Sequence, residues 1–111
     1  MAKNRFKILI VEDEANIRTF VRTMLEAEDY QVLCAAACAS GLSMFSSHCP
    51  DLVILDLGLP DQDGVVFITS ARQFSQIPIL VLSARTTDND KVTALDLGAN
   101  DYVTKQNGRA S

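Results

Sequence analysis

Short apolar runs rich in β-branched residues alternate along this chain with stretches of helical period, and no other feature restricts its fold so strongly. Runs of the first kind occur at Lys7 to Val11, Asp51 to Leu55 and Ile77 to Leu82, each bounded by polar residues or by Pro and Gly. They read as central strands buried on both faces. Gln31 to Ala35 and Asp101 to Thr104 are less apolar and suit sheet edges or strand ends. Between them, Ile17, Phe20, Val21, Met24 and Leu25 share one helical face with Arg18 and Arg22 opposite, which predicts an amphipathic helix from Glu14 to Glu28. Weaker periods predict helices at Ala39 to Ser47 (Leu42, Phe45), Gly64 to Phe74 (Phe67, Ile68, Ala71) and Asp88 to Leu97 (Val92, Leu95), with Gly98 placed to end the last.

Strict β-α alternation with right-handed crossovers predicts an α/β fold, a doubly wound five-stranded parallel sheet in the flavodoxin-like order 2-1-3-4-5. With 111 residues there is room for one domain, expected over residues 1–105, followed by a polar tail at 106–111 too short for a stable helix. The net charge of −4 and pI of about 4.7 supply no general attraction to nucleic acid phosphates or anionic lipid, so neither is an expected partner of this chain. No run is long enough to cross a bilayer, and the apolar N-terminal run meets acids too soon for a secretory signal. Cys34, Cys38 and Cys49 lack CxxC spacing and read as free, buried or half-buried thiols, so the expected location is the cytoplasm.

Sheets of this kind place ligands outside the carboxyl ends of their strands, where strand order reverses. Strand 1 runs into Glu12, Asp13 and Glu14, strand 3 into Asp56, strand 4 into Ser83, and strand 5 ends near Lys105. Strands 1 and 3 are neighbours in the predicted order, so Asp13 and Asp56 should converge with Glu12 beside them. Two carboxylates about 4 Å apart repel by roughly 4 kcal/mol at an effective dielectric near 20, and Lys105 alone cannot balance three acids. Either one acid takes up a proton or a cation neutralises the site. Oxygen ligands without thiolate or imidazole suit a hard divalent ion such as Mg2+, and His48, the only histidine, lies at a helix end remote from this rim. A carboxylate beside such an ion, facing an ammonium and a hydroxyl, can accept a phosphoryl group, with Asp56 as the attacking oxygen.

Each residue also has a plainer reading. Glu12 to Glu14 would favourably charge a helix N-terminus, Asp56 could open a turn into Pro60, Asp61 and Gly64, and Ser83 or Lys105 alone says little. An edge-strand aromatic such as Tyr102 needs no role beyond packing. Their joint placement at strand ends favours the site.

Glu12-Asp13, the block DLVILDLGLPDQDG around Asp56, VLSAR with Ser83, and ALDLGANDYVTK with Tyr102 and Lys105 together resemble the receiver domain of two-component response regulators. The pattern is most similar to the OmpR/PhoB branch and, within it, to the potassium-responsive regulators. The resemblance spans Lys7 to Lys105. It implies that Asp56 is phosphorylated by a sensor histidine kinase. It further implies that Asp13 and Asp56 bind Mg2+ directly, with the Gly58 carbonyl as a third ligand and Glu12 acting through water. Ser83 and the Ala84 amide would hold the phosphoryl oxygens and Lys105 would pair with them. Tyr102 would turn inward as Ser83 shifts, changing an α4-β5 surface that controls a transcriptional output. The chain would be a signalling domain and not an enzyme acting on small molecules.

The sequence departs from the family after Lys105, where Pro, Phe and a fifth helix are usual and QNGRAS stands instead. A trans bond before Gln106 and a displaced or mobile Lys105 are expected, because a cis bond before a residue other than proline costs about 2.5 to 4 kcal/mol. With the last helix missing, apolar surface beside strands 1 and 5 should be exposed and favour self-association. Two alternatives stay open: a receiver-like binding module that is not phosphorylated, and a phosphatase of the haloacid dehalogenase kind, which would want an acid where Gly58 stands.

Overall fold

The computed structural model describes residues 6–85 and 87–105. In chain order these form β1 (Lys7–Val11), α1 (Ala15–Ala27), β2 (Gln31–Ala35), α2 (Cys38–His48), β3 (Leu52–Leu55), α3 (Gly64–Arg72), β4 (Ile79–Ser83), α4 (Asp88–Leu97) and β5 (Asp101–Thr104). The strands make one sheet in the order β2-β1-β3-β4-β5, every pair parallel. The doubly wound order expected from the alternation is the one observed, with four helices among the described residues. The expected tail at 106–111, and the geometry of the bond before Gln106, lie outside them.

Element ends move by a residue or two, for identifiable reasons. β3 starts after Asp51, whose carboxylate accepts from the Lys7 amide at 2.8 Å. β4 starts after Pro78, which has no N–H to give the ladder, and the Ile79 amide donates to the Asn100 side chain at 2.9 Å. α3 ends at Arg72, where Gln73 and Phe74 close the last turn with bonds to carbonyls three residues back. Gly98 ends α4 with φ of 124°, a conformation that costs glycine nothing.

β1 is buried on both faces. Leu9 and Val11 join the core cluster with Phe45 and Phe67, while Ile8 and Ile10, on the alternate face, are equally enclosed. Phe67 of α3 meets Phe45 of α2 edge to face at 5.7 Å. Each large side chain sealed in this way stabilises the fold by roughly 1.5 to 3 kcal/mol.

The apolar periods located the helices better than they located the buried faces. On α1, Val21 is buried and Ile17 and Leu25 are half-buried, but Phe20 is 64% exposed and Met24 50%. On α4 the apolar pair Val92 and Leu95 is exposed, and Ala94 is the residue that packs. All three cysteines are free, and Cys49, expected to be at least half-buried, is exposed at the left-handed C-cap of α2. Among the described residues no helix is long and apolar enough to cross a membrane.

Candidate functional site

Pairing between strands continues one step past the ends of β1 and β3. The Asp56 amide donates to the Val11 carbonyl at 2.9 Å and the Glu12 amide to the Ala35 carbonyl at 3.0 Å. The first acids after each strand are thereby locked side by side. Carboxylate oxygens of Glu12, Asp13 and Asp56 all lie within 4.8 Å of one another. Glu12 and Asp56 are buried and Asp13 is exposed, so the cluster opens to solvent on the Asp13 side. This is the convergence the strand order predicts, and an all-oxygen set of this spacing fits a hard divalent cation.

Lys105 is in the site, which corrects the expectation that it would be displaced. Its Nζ stands 2.8 Å from Glu12 Oε1 and 3.6 Å from Asp56 Oδ2. The backbone explains the placement. The Lys105 amide donates to the Ser83 carbonyl at 2.7 Å, carrying the β4–β5 pairing past Thr104, so the sheet fixes the backbone from which this side chain reaches the acids. Burial pushes the Glu12 carboxyl above its ordinary value of 4.5, outweighing the hydrogen bonds from Lys105 and from the Glu14 amide. Burial works against the Lys105 ammonium too, but the hydrogen bond to Glu12 and the charges of Asp56 and Glu12 prevail and raise it above 10.5.

Ser83, at the end of β4, is buried and its Oγ accepts from the Arg85 amide at 3.1 Å. Ala84 is exposed beside it. Gly58 is exposed two residues past Asp56, and its amide donates to Asp56 Oδ1 at 3.3 Å. Tyr102 is buried, and its hydroxyl donates to the Arg85 carbonyl at 2.9 Å, so the aromatic already points inward. His48 lies on α2, where its Nδ1 stands 3.1 Å from Ser47 Oγ, away from the acids.

Several residues that shape the site escaped the sequence reading. Arg18 reaches back from α1 to donate to the Glu12 carbonyl at 2.8 Å and the Asp13 carbonyl at 3.3 Å. Asp61 accepts from the Cys38 and Ala39 amides at 2.8 and 2.9 Å, capping α2 from a different loop, since Ala37 at the N-cap offers no side-chain oxygen. These bonds hold its carboxyl below the usual 3.8. Gly64 opens α3, as the helical period predicts, but so close to the chain that a Cβ would lie 2.5 Å from the Asp56 carbonyl oxygen. All three depend on contacts between separate segments, which no local pattern displays.

The sequence matches the family model described as "Response regulator receiver domain" over residues 8–111. The KDP operon transcriptional regulatory protein KdpE of Escherichia coli is 52% identical over 101 residues, covering 91% of this chain and 45% of that protein. KdpE of Mycobacterium tuberculosis is 46% identical over the same shares of each chain. The chain thus spans less than half the length of these relatives. Among solved structures, the BeF3-activated N-terminal receiver domain of RstA from Klebsiella pneumoniae aligns with a TM-score of 0.86 at 31% identity, covering 90% of this chain and 86% of that one. With its sequence pattern, strand order and acid-bearing sheet rim all in agreement, the chain belongs to the receiver domains of two-component response regulators.

Proposed function

We propose that Asp56 accepts a phosphoryl group from a partner histidine kinase and that the resulting charge alters the α4-β5 surface of a cytoplasmic transcriptional regulator. The observation that carries this is the placing of Asp56 at the rim, within ion-sharing distance of Asp13 and Glu12 and 3.6 Å from the Lys105 ammonium. In the transfer, an Asp56 carboxylate oxygen bonds to phosphorus as the bond from phosphorus to the donor imidazole nitrogen breaks. That nitrogen keeps the electron pair. Lys105 offers a fixed positive charge to the phosphoryl oxygens, and Ser83 Oγ and the Ala84 amide offer hydrogen bonds to them. Asp13 and Asp56 would hold Mg2+ directly, with the Gly58 carbonyl as a third protein ligand and Glu12 acting through water. When bound, the ion neutralises charge on the phosphoryl oxygens.

A groove of about 470 Å3, lined in part by Ile17, Phe20, Val21, Leu82 and Ala84, runs beside Lys105. With Phe20 64% exposed, it supports self-association through this face, and sedimentation showing a strict monomer would count against it.

Incubation with Mg2+ and acetyl phosphate followed by intact mass measurement tests the central reading. The expected result is a gain of one phosphoryl group that is lost in Asp56→Asn. No gain in the native chain would favour the binding-module alternative.

A further inference from the structure

We infer that Arg85 is a positioning residue that ties the loop after Asp56 to the first turn of α4, so that a change at the acidic rim reaches α4 through its guanidinium. The inference rests on the phosphoacceptor reading and adds a route to it. Arg85 Nη1 lies 3.0 Å from Asp63 Oδ2 and 3.8 Å from Asp90 Oδ1, while Nη2 donates to the Leu57 carbonyl at 3.3 Å. Both acids are committed elsewhere. Asp63 caps α3 by accepting from the Val65 amide at 3.1 Å. Asp90 accepts from the Thr87 hydroxyl at 2.7 Å, and its amide donates back to that oxygen at 3.2 Å, closing the N-terminus of α4. One guanidinium therefore joins the N-terminal ends of two helices and the carbonyl adjoining Gly58.

The backbone of the same residue touches Ser83 and Tyr102. Its amide donates to Ser83 Oγ and its carbonyl accepts from the Tyr102 hydroxyl. Ion pairs this exposed, at 33% and 43% for Arg85 and Asp63, add little to stability, so the arrangement serves geometry. A lysine cannot replace it, because a point charge does not reach a carboxylate and a carbonyl in one planar fork.

The test uses a Tyr30→Phe background, which leaves Tyr102 as the single tyrosine in a chain without tryptophan. Native, Arg85→Lys, Arg85→Ala and Asp90→Asn forms are treated with Mg2+ and acetyl phosphate, weighed intact, and followed by tyrosine fluorescence and by hydrogen exchange across α4. The expected outcome is phosphoryl uptake in all four, with a severalfold change in α4 exchange and a shift in Tyr102 emission in the native form alone. Failure of the native form to gain mass overturns the phosphoacceptor reading and this inference with it. Uptake in all four with the same α4 response, or with none in the native form, overturns the inference alone. Loss of uptake in Arg85→Ala would put the side chain in the transfer itself and overturn its role as a tie. Asp90→Asn keeps Arg85 in place, so the inference stays testable if an Arg85 variant fails to fold.

Discussion

The Lys105 ammonium sits 2.8 Å from Glu12 Oε1 but 3.6 Å from Asp56 Oδ2, so its closer partner is Glu12 and not Asp56. Glu12, with its side chain only 4% exposed, has little water to solvate its charge and depends on that ammonium. Lys105→Ala is expected to cost about 3 kcal/mol in Mg2+-free urea denaturation, the order seen when one member of a buried pair is removed. Adding Glu12→Gln should recover much of the loss, and a double variant as unstable as the single one would refute the pairing.

Glu12, Lys105 and Asp61 each make stability depend on pH. Glu12 has a raised value, so above 4.5 the folded state holds a proton that the unfolded state has lost, and stability falls as pH rises through that window. Lys105 is raised as well, and its contribution is complete below 10.5 and lost as pH climbs past its folded value. Asp61 is depressed, and its contribution is present above 3.8 and lost as pH falls through its folded value. Denaturation midpoints measured against pH should lose the first slope in Glu12→Gln, while Asp61→Asn should flatten the acid limb below 3.8.

Gly64 admits no side chain, because a Cβ would stand 2.5 Å from the Asp56 carbonyl oxygen and 2.6 Å from Leu57 Cα, both backbone atoms that cannot swing aside. Gly64→Ala should destabilise by about 1 to 3 kcal/mol, as overpacking does. It should also slow phosphoryl uptake, since the displaced backbone is that of Asp56. Native uptake in a clearly destabilised Gly64→Ala protein would show that the two effects are separate.

Arg72 works at the opposite rim of the sheet. Its guanidinium donates to the carbonyls of Gly98, Ser75 and Ile77 and to the Asn100 side chain, gathering the end of α3, the approach to β4 and the α4–β5 loop. Arg72→Ala leaves those oxygens short of a donor and should cost about 2 to 3 kcal/mol. Phosphoryl uptake below the new midpoint should be unchanged, and a loss there would mean that the two rims are coupled.

Much of the fold and of the rim is legible in the chain, and the failures share a cause. Strand runs such as Lys7 to Val11 are visible because burial on both faces leaves no polar position to interrupt them. Asp13 and Asp56 are legible because the rim rule selects strand ends whatever surrounds them. The buried face of α4 differs from the apolar period because Val92 and Leu95 are exposed and Ala94 is the buried residue. The expected displacement of Lys105 fails because the bond from its amide to the Ser83 carbonyl holds its backbone to the sheet, a contact between segments more than twenty residues apart.

From sequence alone came the order of elements, the parallel sheet and the acids at its rim, since periodicity and strand ends are properties of neighbouring residues. Tertiary structure alone decided which charge Lys105 serves, which groups Arg85 spans and why Gly64 must be glycine. Those depend on distances between segments tens of residues apart, and only the packed fold sets them.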